Sequence, residues 1–292
     1  MKYLLVMLAS LAFLNVAQAD SLWGQVSHPV GGPAQAIGFY SAGCLAGGRA
    51  LPLQGQGYQV MRPSRNRYYG HPVLITFIES LGRQAAGRGE RLLIGDMSQP
   101  RGGPMDYGHA SHQIGLDVDV WFEQAAPGQT LTRQETEGKA MISTVLASQG
   151  RINPQRWSPR YRDILMLAAS DPRVERIFVN PIIKQTLCQS DRGNTTWMPK
   201  IRPWWGHDAH FHVRLRCPAG SPQCRPQDPP SQGDGCDASL TDWVGQVRRA
   251  ALRPAIPGTR PQRKAKILPA ACQEVLRGNW AAQPTTSVGP AN

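Results

Sequence analysis

Apolar side chains recur at helical spacing in several segments, a pattern typical of helices that pack one face against a core. A Gly-rich stop, GRGE at 87–90, follows the first of them. From Ser21 to Asn66 the chain is rich in Gly, Pro and Ser, which predicts loops and short strands. Five helices are predicted, over HPVLITFIESLGRQA (71–85), EGKAMISTVLAS (137–148), PRYRDILMLAAS (159–170), PIIKQTLC (181–188) and DASLTDWVGQVRRAAL (237–252).

Strict alternation of apolar and polar residues predicts strands in two other segments. In LDVDVWF (116–122), Asp117 and Asp119 point away from the apolar face, and in HFHVRLR (210–216) the histidines and arginines do so. RLLIGDM (91–97) and RVERIFVN (173–180) are predicted as further strands. Because helices and strands mix without a regular βαβ rhythm, we expect an α+β fold: a central, mainly antiparallel sheet flanked by helices and long loops.

The ends of the chain differ from this pattern. Residues 1–19, MKYLLVMLASLAFLNVAQA, combine Lys2, an apolar run and a small-x-small triplet, which is typical of a cleavable secretory signal. No later stretch approaches twenty apolar residues, so we expect no membrane span and a soluble mature chain outside the cytoplasm. Residues 20–292 are predicted as a single domain whose C-terminal extension, about 254–292, is rich in Pro and Gly.

Charge and cysteine content narrow the class of partner and the compartment. The formal net charge of +12 favours an acidic partner. An exported protein without a basic-aromatic stripe is not expected to bind nucleic acid, and the carboxylate-rich cell wall is the more accessible polyanion. The six cysteines predict three disulfides with fifteen possible pairings. A structural zinc site is the less favoured alternative because no C-x-x-C occurs.

Histidines supply the clearest sign of chemistry. Five of the seven fall in two short stretches, GHASHQIGLDVDVW and WWGHDAHFHVRLRC. Six residues, Gly115 among them, separate His112 from Asp119, which suits one ligand on a loop and another on the strand that follows. His210 and His212 share a strand face. Together they offer the His and Asp donors of a hydrolytic zinc site.

Other catalytic designs lack their motifs. The chain has no H-E-x-x-H, no S-x-x-K and no G-x-S-x-G, so zincin proteases and the usual serine acyl-enzymes are excluded. The RGG at 101–103 has no P-loop context, and glutamates are too scattered for a glycosidase pair.

The two histidine motifs carry a resemblance. H-x6-D at His112 and Asp119, with H-x-H at His210 and His212, resembles the LAS zinc peptidases, the group of lysostaphin, D-Ala-D-Ala peptidases and the Hedgehog signalling domain. The longer strings DYGHASHQIGLDVDVW, RPWWGHDAHFHVRLRCP and DPRVERIFVNP, with the placing of the cysteines, resemble the penicillin-insensitive murein endopeptidase family over most of the mature chain.

This resemblance implies specific ligands. Zinc would be held by His112, Asp119 and His212, and His109 would be either a further ligand or a partner of one. A second zinc is not expected, because residues 130–160 contain no histidine.

It also implies catalytic roles and disulfides. His210 would be the general base, and His207 would stabilise the tetrahedral intermediate or assist proton transfer. We further hypothesise that Arg214, or Arg202, holds a substrate carboxylate, and Trp204 and Trp205 either line the groove or pack. The cysteine order of the family implies the pairs Cys44 with Cys272, Cys188 with Cys236, and Cys217 with Cys224.

The activity implied is hydrolysis of D-alanyl-meso-diaminopimelyl cross-bridges of peptidoglycan, and of diaminopimelyl-diaminopimelyl links as well, in the periplasm. Water attacks directly, so penicillin has no serine to acylate. Two alternatives stay open: a D,D-carboxypeptidase of the same zinc group, and a non-catalytic murein-binding protein. The oligomeric state is not predicted.

Overall fold

The computed structural model describes residues 22–126, 128–191, 193, 195–253 and 266–280. The predicted signal at 1–19 lies outside the described residues, as do 254–265 and 281–292 of the predicted extension. The strands are β1 Gln35–Phe39, β2 Ala42–Ala46, β3 Arg49–Ala50, β4 Gln54–Gly55, β5 Tyr58–Val60, β6 Tyr69–Gly70, β7 Leu92–Ile94, β8 Asp117–Trp121, β9 Val145–Leu146, β10 Arg151–Ile152, β11 Val174–Val179, β12 Ile201–Pro203 and β13 His210–Leu215. The helices are α1 Pro72–Ala86, α2 Arg133–Gly138, α3 Pro159–Ser170, α4 Pro181–Ser190, α5 Ala238–Ala251 and α6 Ala271–Arg277.

The two alternating strands, β8 and β13, lie side by side in the middle of a seven-stranded sheet of order β12-β11-β13-β8-β7-β5-β4. Neighbours β11/β12 and β5/β7 are parallel, and the other four pairs are antiparallel. The expected α+β class with a mainly antiparallel sheet is therefore confirmed. No helix of the described residues has the length and apolar character needed to cross a membrane.

Four of the five predicted helices are confirmed, and each begins at a capping side chain. Three of them also place Pro at the first helical position, where its missing N–H costs nothing. The capping residues are His71 for α1, Ser158 for α3, Asn180 for α4 and Asp237 for α5, and each accepts from a backbone N–H two residues on.

The helix predicted over 137–148 is wrong. Helix α2 ends at Gly138, and the segment continues as β9 and a 3-10 turn at Ala147–Gln149. Thr144 donates its backbone N–H to the carbonyl of Asp208 at 2.8 Å and accepts from Asn153 at 2.9 Å. These long-range bonds satisfy the backbone in an extended form, so they override an apolar pattern that suits a helix.

The apolar face of β8 and β13 is the centre of the main core. Its valines, with Phe211 and Leu215, are fully or almost fully buried in one cluster with Phe77 of α1 and Leu165 of α3. The opposite, polar face of the same strands is also buried, except at the partly exposed His210. Charged side chains on that face are therefore forced to pair with one another.

Three disulfides crosslink the chain, two between segments far apart in the sequence and one across a separation of only 7 residues. The bonded pairs are Cys44–Cys272, Cys188–Cys236 and Cys217–Cys224, the pairing that the resemblance implies. The first attaches α6 to β2, and the second attaches the start of α5 to α4. These crosslinks restrict the unfolded chain and stabilise the folded one.

Candidate metal centre

The register of two strands places the candidate ligands opposite each other. In the antiparallel pair of β8 and β13, His212 faces Asp119 and Arg214 faces Asp117. Directly opposed residues on one face of a sheet have neighbouring side chains. The polar residues of two segments about ninety positions apart thereby meet in a row on one side of the sheet.

Asp119 is the centre of this arrangement. Its side chain is 5% exposed, and four imidazole nitrogens surround its two carboxylate oxygens. The distances are 3.3 Å from His109 Nε2, 3.4 Å from His112 Nε2, 3.4 Å from His212 Nδ1 and 3.6 Å from His210 Nε2. Burial alone would raise the pKa of Asp119, but the neighbouring imidazoles, His210 foremost, lower it well below its ordinary value.

The loop before β8 holds His112 in an unusual backbone conformation. Its φ is +68°, a left-handed value that a residue with a Cβ rarely adopts, and Gly115 has φ +71°. The backbone N–H of His112 donates to Asp117 Oδ2 at 3.0 Å, which fixes this conformation. His207 is also left-handed, with φ +52°. Such outliers persist only where the surroundings enforce them. Two of the four left-handed non-glycine residues in the described part of the chain are these site histidines, and the other two are Arg62 and Asn66.

Asp117 and Arg214 form a buried pair behind the histidines. Arg214 donates from Nε to Asp117 Oδ1 at 2.8 Å and from Nη2 to Oδ2 at 3.2 Å, and its Nη1 donates to Gln227. His212 Nε2 lies 3.1 Å from Asp117 Oδ1. Burial opposes ionisation, yet Arg214 and then His212 hold the pKa of Asp117 well below its ordinary value.

Arg214, hypothesised above to hold a substrate carboxylate, is engaged within the protein in this structure. Its side chain is 7% exposed, all three of its guanidinium nitrogens are engaged, and it stacks on the ring of Tyr40 at 4.1 Å. Arg202, the other candidate, donates to Ser231 at 2.8 Å. Arg214 therefore holds Asp117, which in turn contacts two histidines.

His109 lies between two carboxylates. Its Nε2 is 3.2 Å from Asp96 Oδ2 as well as 3.3 Å from Asp119 Oδ2. Burial lowers the pKa of His109, but Asp119 and Asp96 raise it, and the net shift is upward. Asp96 also binds Arg67 at 3.0 Å and Arg65 at 3.2 Å. These contacts allow His109 to act as a ligand or as a partner of Asp119.

The partly exposed histidines of the cluster, His109, His207 and His210, define its open side. The ring of His210 is 5.1 Å from that of His207, and its side chain is 16% exposed, whereas His112 is completely buried. His207 Nδ1 is 2.8 Å from the carbonyl oxygen of Trp205. Because a carbonyl only accepts, Nδ1 must carry the proton and Nε2 keeps a lone pair. Burial and the neighbouring His210 lower the pKa of His207 to about 4, so the ring is neutral at pH 7.

Several buried atoms of this site fit a metal ion. Both ring nitrogens of His112 and Oδ1 of Asp119 have no hydrogen-bond partner among the described residues. On His212, Nε2 faces Asp117 and Nδ1 faces Asp119. Burial lowers the pKa of His212 to about 3, so this imidazole is neutral at pH 7, the form that binds metal ions. Ligand atoms of His109, His112 and Asp119 all lie within 4.8 Å of one another. Nitrogen donors with one carboxylate are the set that zinc prefers in hydrolytic sites.

Two contributing acids received no role from the sequence. Asp117 shares its strand face with Asp119, so the alternation of polar residues could have indicated that Asp117 also belongs to the site. Asp96 follows strand β7, and its distance along the chain from the histidines conceals their contact.

Comparison with known proteins agrees with this geometry. A family model described as penicillin-insensitive murein endopeptidase matches residues 36–277. The penicillin-insensitive murein endopeptidase of Yersinia enterocolitica serotype O:8 / biotype 1B is 43% identical over 285 residues, which is 97% of this chain and 100% of that protein. Proteins of the same name are 45% identical over 277 residues in Klebsiella pneumoniae (strain 342), with 94% and 96% covered, and 42% identical over 269 residues in Pectobacterium atrosepticum, with 91% and 92% covered. The range matched by the family model contains every histidine and carboxylate of the site.

Proposed function

The chain belongs to the penicillin-insensitive murein endopeptidase family, and we propose that it is a zinc-dependent murein endopeptidase. Its substrate would be the D-alanyl-meso-diaminopimelyl cross-bridge of peptidoglycan, and the diaminopimelyl-diaminopimelyl link as well. The proposed zinc dependence rests on one observation: the carboxylate of Asp119 lies among four imidazole nitrogens, and buried donor atoms of this cluster have no hydrogen-bond partner among the described residues.

We assign the metal to His112, Asp119 and His212. The first and third of these have the most deeply buried imidazoles of the cluster, and Asp119 touches both. Zinc in such a site lowers the pKa of water to about 7 and polarises the amide carbonyl. His109 remains a further ligand or the residue through which Asp96 positions Asp119.

We assign the general base to His210. It approaches Asp119 Oδ2 while keeping access to the open side, so it can accept a proton from the attacking water and return it to the leaving amine. A positioned base of this kind contributes roughly 10²- to 10⁴-fold in rate.

His207 fits assistance in proton transfer better than hydrogen bonding to the oxyanion. Its proton is committed to the carbonyl of Trp205, so the neutral ring offers a lone pair at Nε2 rather than an N–H. The ring would stabilise negative charge only after taking up a proton during the reaction. The left-handed backbone of His207 and the bond to Trp205 fix the direction of that lone pair.

A murein-acting enzyme works outside the cytoplasm, and we propose the periplasm as the compartment, reached through a signal at 1–19. Three disulfides within the described residues suit an oxidising compartment. Exported protein should then begin at Asp20, which N-terminal sequencing tests. We further propose that 20–292 form one peptidase domain.

The experiment is mass spectrometry of purified cross-linked muropeptide dimers after incubation with the protein. We expect conversion of dimer to two monomers, loss of conversion with a chelator, recovery with zinc, and no effect of penicillin. The variant His28→Ala, which removes an exposed histidine outside both clusters, is the matched control and should behave as the unaltered protein. Release of only a terminal alanine would identify a D,D-carboxypeptidase instead, and unchanged dimer under every condition would favour a binding protein.

A further inference from the structure

Two large aromatic side chains are exposed beside the proposed active site. Trp204 and Trp205 are 52% and 46% exposed, and both contact Trp243 of α5, with ring centroids 6.2 and 6.1 Å away. We call these three residues the tryptophan platform. Leaving this much indole in water forgoes a substantial hydrophobic gain, and clustered exposure of this kind marks binding sites.

The platform is held firmly in place. Trp204 donates its backbone N–H to Val179 of β11 at 2.8 Å. The following loop is fixed by buried Asn180, which donates to the carbonyl of Gly206 at 2.9 Å. On the other side, the Cys188–Cys236 disulfide attaches the start of α5 to α4. The indole faces are therefore presented to solvent from a rigid support, which lowers the entropy lost on binding.

The platform is also continuous with the catalytic residues. Trp204 contacts Phe178 with ring centroids 5.7 Å apart, and Phe178 contacts His212 at 5.3 Å. Trp205 is joined to the site directly, because its carbonyl accepts from His207. Trp204 is thus linked to His212, a proposed metal ligand, through the single intervening ring of Phe178.

The proposed substrate has one component that matches this surface in both chemistry and distance. The stem peptides carry small methyl groups and charged carboxylate and ammonium groups on short aliphatic chains, and each of these covers less of an indole face than a sugar ring does. The amino sugars of the glycan strands have broad, uncharged rings with C–H faces, which pack well on aromatic faces. A donor stem of four residues spans about 13 Å when extended, so the nearest sugar comes within reach of the platform.

We propose that the tryptophan platform binds an amino sugar of the glycan strand that carries the donor stem peptide. This rests on the proposed murein endopeptidase function and adds a carbohydrate subsite to it. The enzyme would then favour cross-links that are still attached to glycan over the same cross-links as free peptides.

The test compares two substrates with identical peptide cross-links, one carrying its disaccharides and one stripped of them by an amidase. We expect the unaltered protein to show the lower KM for the glycan-bearing dimer. Trp205→Ala should raise that KM roughly three- to tenfold relative to the KM for the stripped dimer. The readout is the ratio of the two KM values, since any disturbance of His207 would affect both substrates in parallel. Trp205→Phe should recover most of the preference, and Leu252→Ala, at the exposed far end of α5, should leave the ratio unchanged.

An unaltered ratio in Trp205→Ala would overturn the proposal, as would an unaltered protein without any preference. Binding of peptide-free glycan strands, followed by tryptophan fluorescence, separates this proposal from the proposed function. Fluorescence changes that Trp205→Ala abolishes would support the platform even if neither dimer were cleaved. Cleavage of both dimers without glycan binding would overturn the platform and leave the endopeptidase function in place.

Discussion

Asp117→Asn replaces one buried carboxylate oxygen with an NH₂ group and should weaken metal binding, although no proposed ligand is itself substituted. Asp117 accepts three bonds: two from Arg214 at 2.8 and 3.2 Å, and one from the backbone N–H of His112 at 3.0 Å. It also lies 3.1 Å from His212 Nε2. The carboxylate thus sets both the backbone of one proposed ligand and the ring of another.

The size of the effect follows from these contacts. Asparagine has a single acceptor oxygen, so at least one of the three donors must face its amide N–H₂ group. The guanidinium of Arg214, 7% exposed, would lose its counter-charge, and breaking a buried ion pair from one side costs about 3–5 kcal/mol. Loss of a partner that orients metal ligands typically lowers metal affinity about 10- to 100-fold.

Metal affinity and stability should be measured separately. Competition with a chromophoric chelator gives the zinc dissociation constant, and urea unfolding of the metal-free protein gives the free energy of unfolding. Asp191→Asn is the matched control, because Asp191 is a buried carboxylate bonded to Arg162 at 2.8 Å at the end of α4. It should lower stability while leaving zinc affinity unchanged. If Asp117→Asn does not fold, Arg214→Lys replaces it in the same two measurements, because lysine keeps the positive charge but cannot form the bidentate contact with Asp117.

A folded Asp117→Asn protein that binds zinc within twofold of the unaltered protein would refute this reasoning. The same result for Arg214→Lys would show that the pair stabilises the strands only and does not orient the histidines.

Three other outcomes are expected. His210→Ala should lose roughly 10²- to 10⁴-fold in cleavage rate while retaining zinc, and a rate near that of the unaltered protein would remove its role as base. Burial, and then Arg202, lower the pKa of Lys184 to about 8, so the folded state binds fewer protons than the unfolded state above that pH. Urea unfolding should therefore show stability rising from pH 8 to about 10.5, by up to about 3 kcal/mol, and the rise should be absent in Lys184→Met. Removing the Cys44–Cys272 disulfide, whose cysteines are 228 residues apart, should lower the free energy of unfolding by about 5 kcal/mol. Removing Cys217–Cys224, 7 residues apart, should lower it by about 2 kcal/mol. Equal losses of stability in melting experiments would contradict this ordering.

Local patterns predicted much of the secondary structure. The helices α1, α3, α4 and α5 have a periodic apolar face and a capping side chain within the same short segment, so nothing distant is needed to recognise them. The segment 137–148 has the apolar residues but not the helix, because its backbone bonds to Asp208 and Asn153. Such partners cannot be identified from the segment itself.

The candidate site divides in the same way. The histidine motifs identify the donors of a metal site because the residue types and the two-residue spacing are local facts. The sequence did not show the contact of Asp96 with His109 or that of Arg214 with Asp117, because both are made across the fold. A charged residue on the polar face of a strand gives the same sequence pattern whether its side chain contacts solvent, substrate or another charged group.

By itself, the sequence determined the fold class, the alternating faces of β8 and β13, and the set of imidazoles and carboxylates available for chemistry. Only the tertiary structure decided that His212 stands opposite Asp119 and that Arg214 stands opposite Asp117. The physical reason is that alternation specifies which face a side chain occupies, whereas register depends on how two distant strands bury their apolar faces against one core. A slip of two residues would keep every face intact and still separate the pairs that make the site.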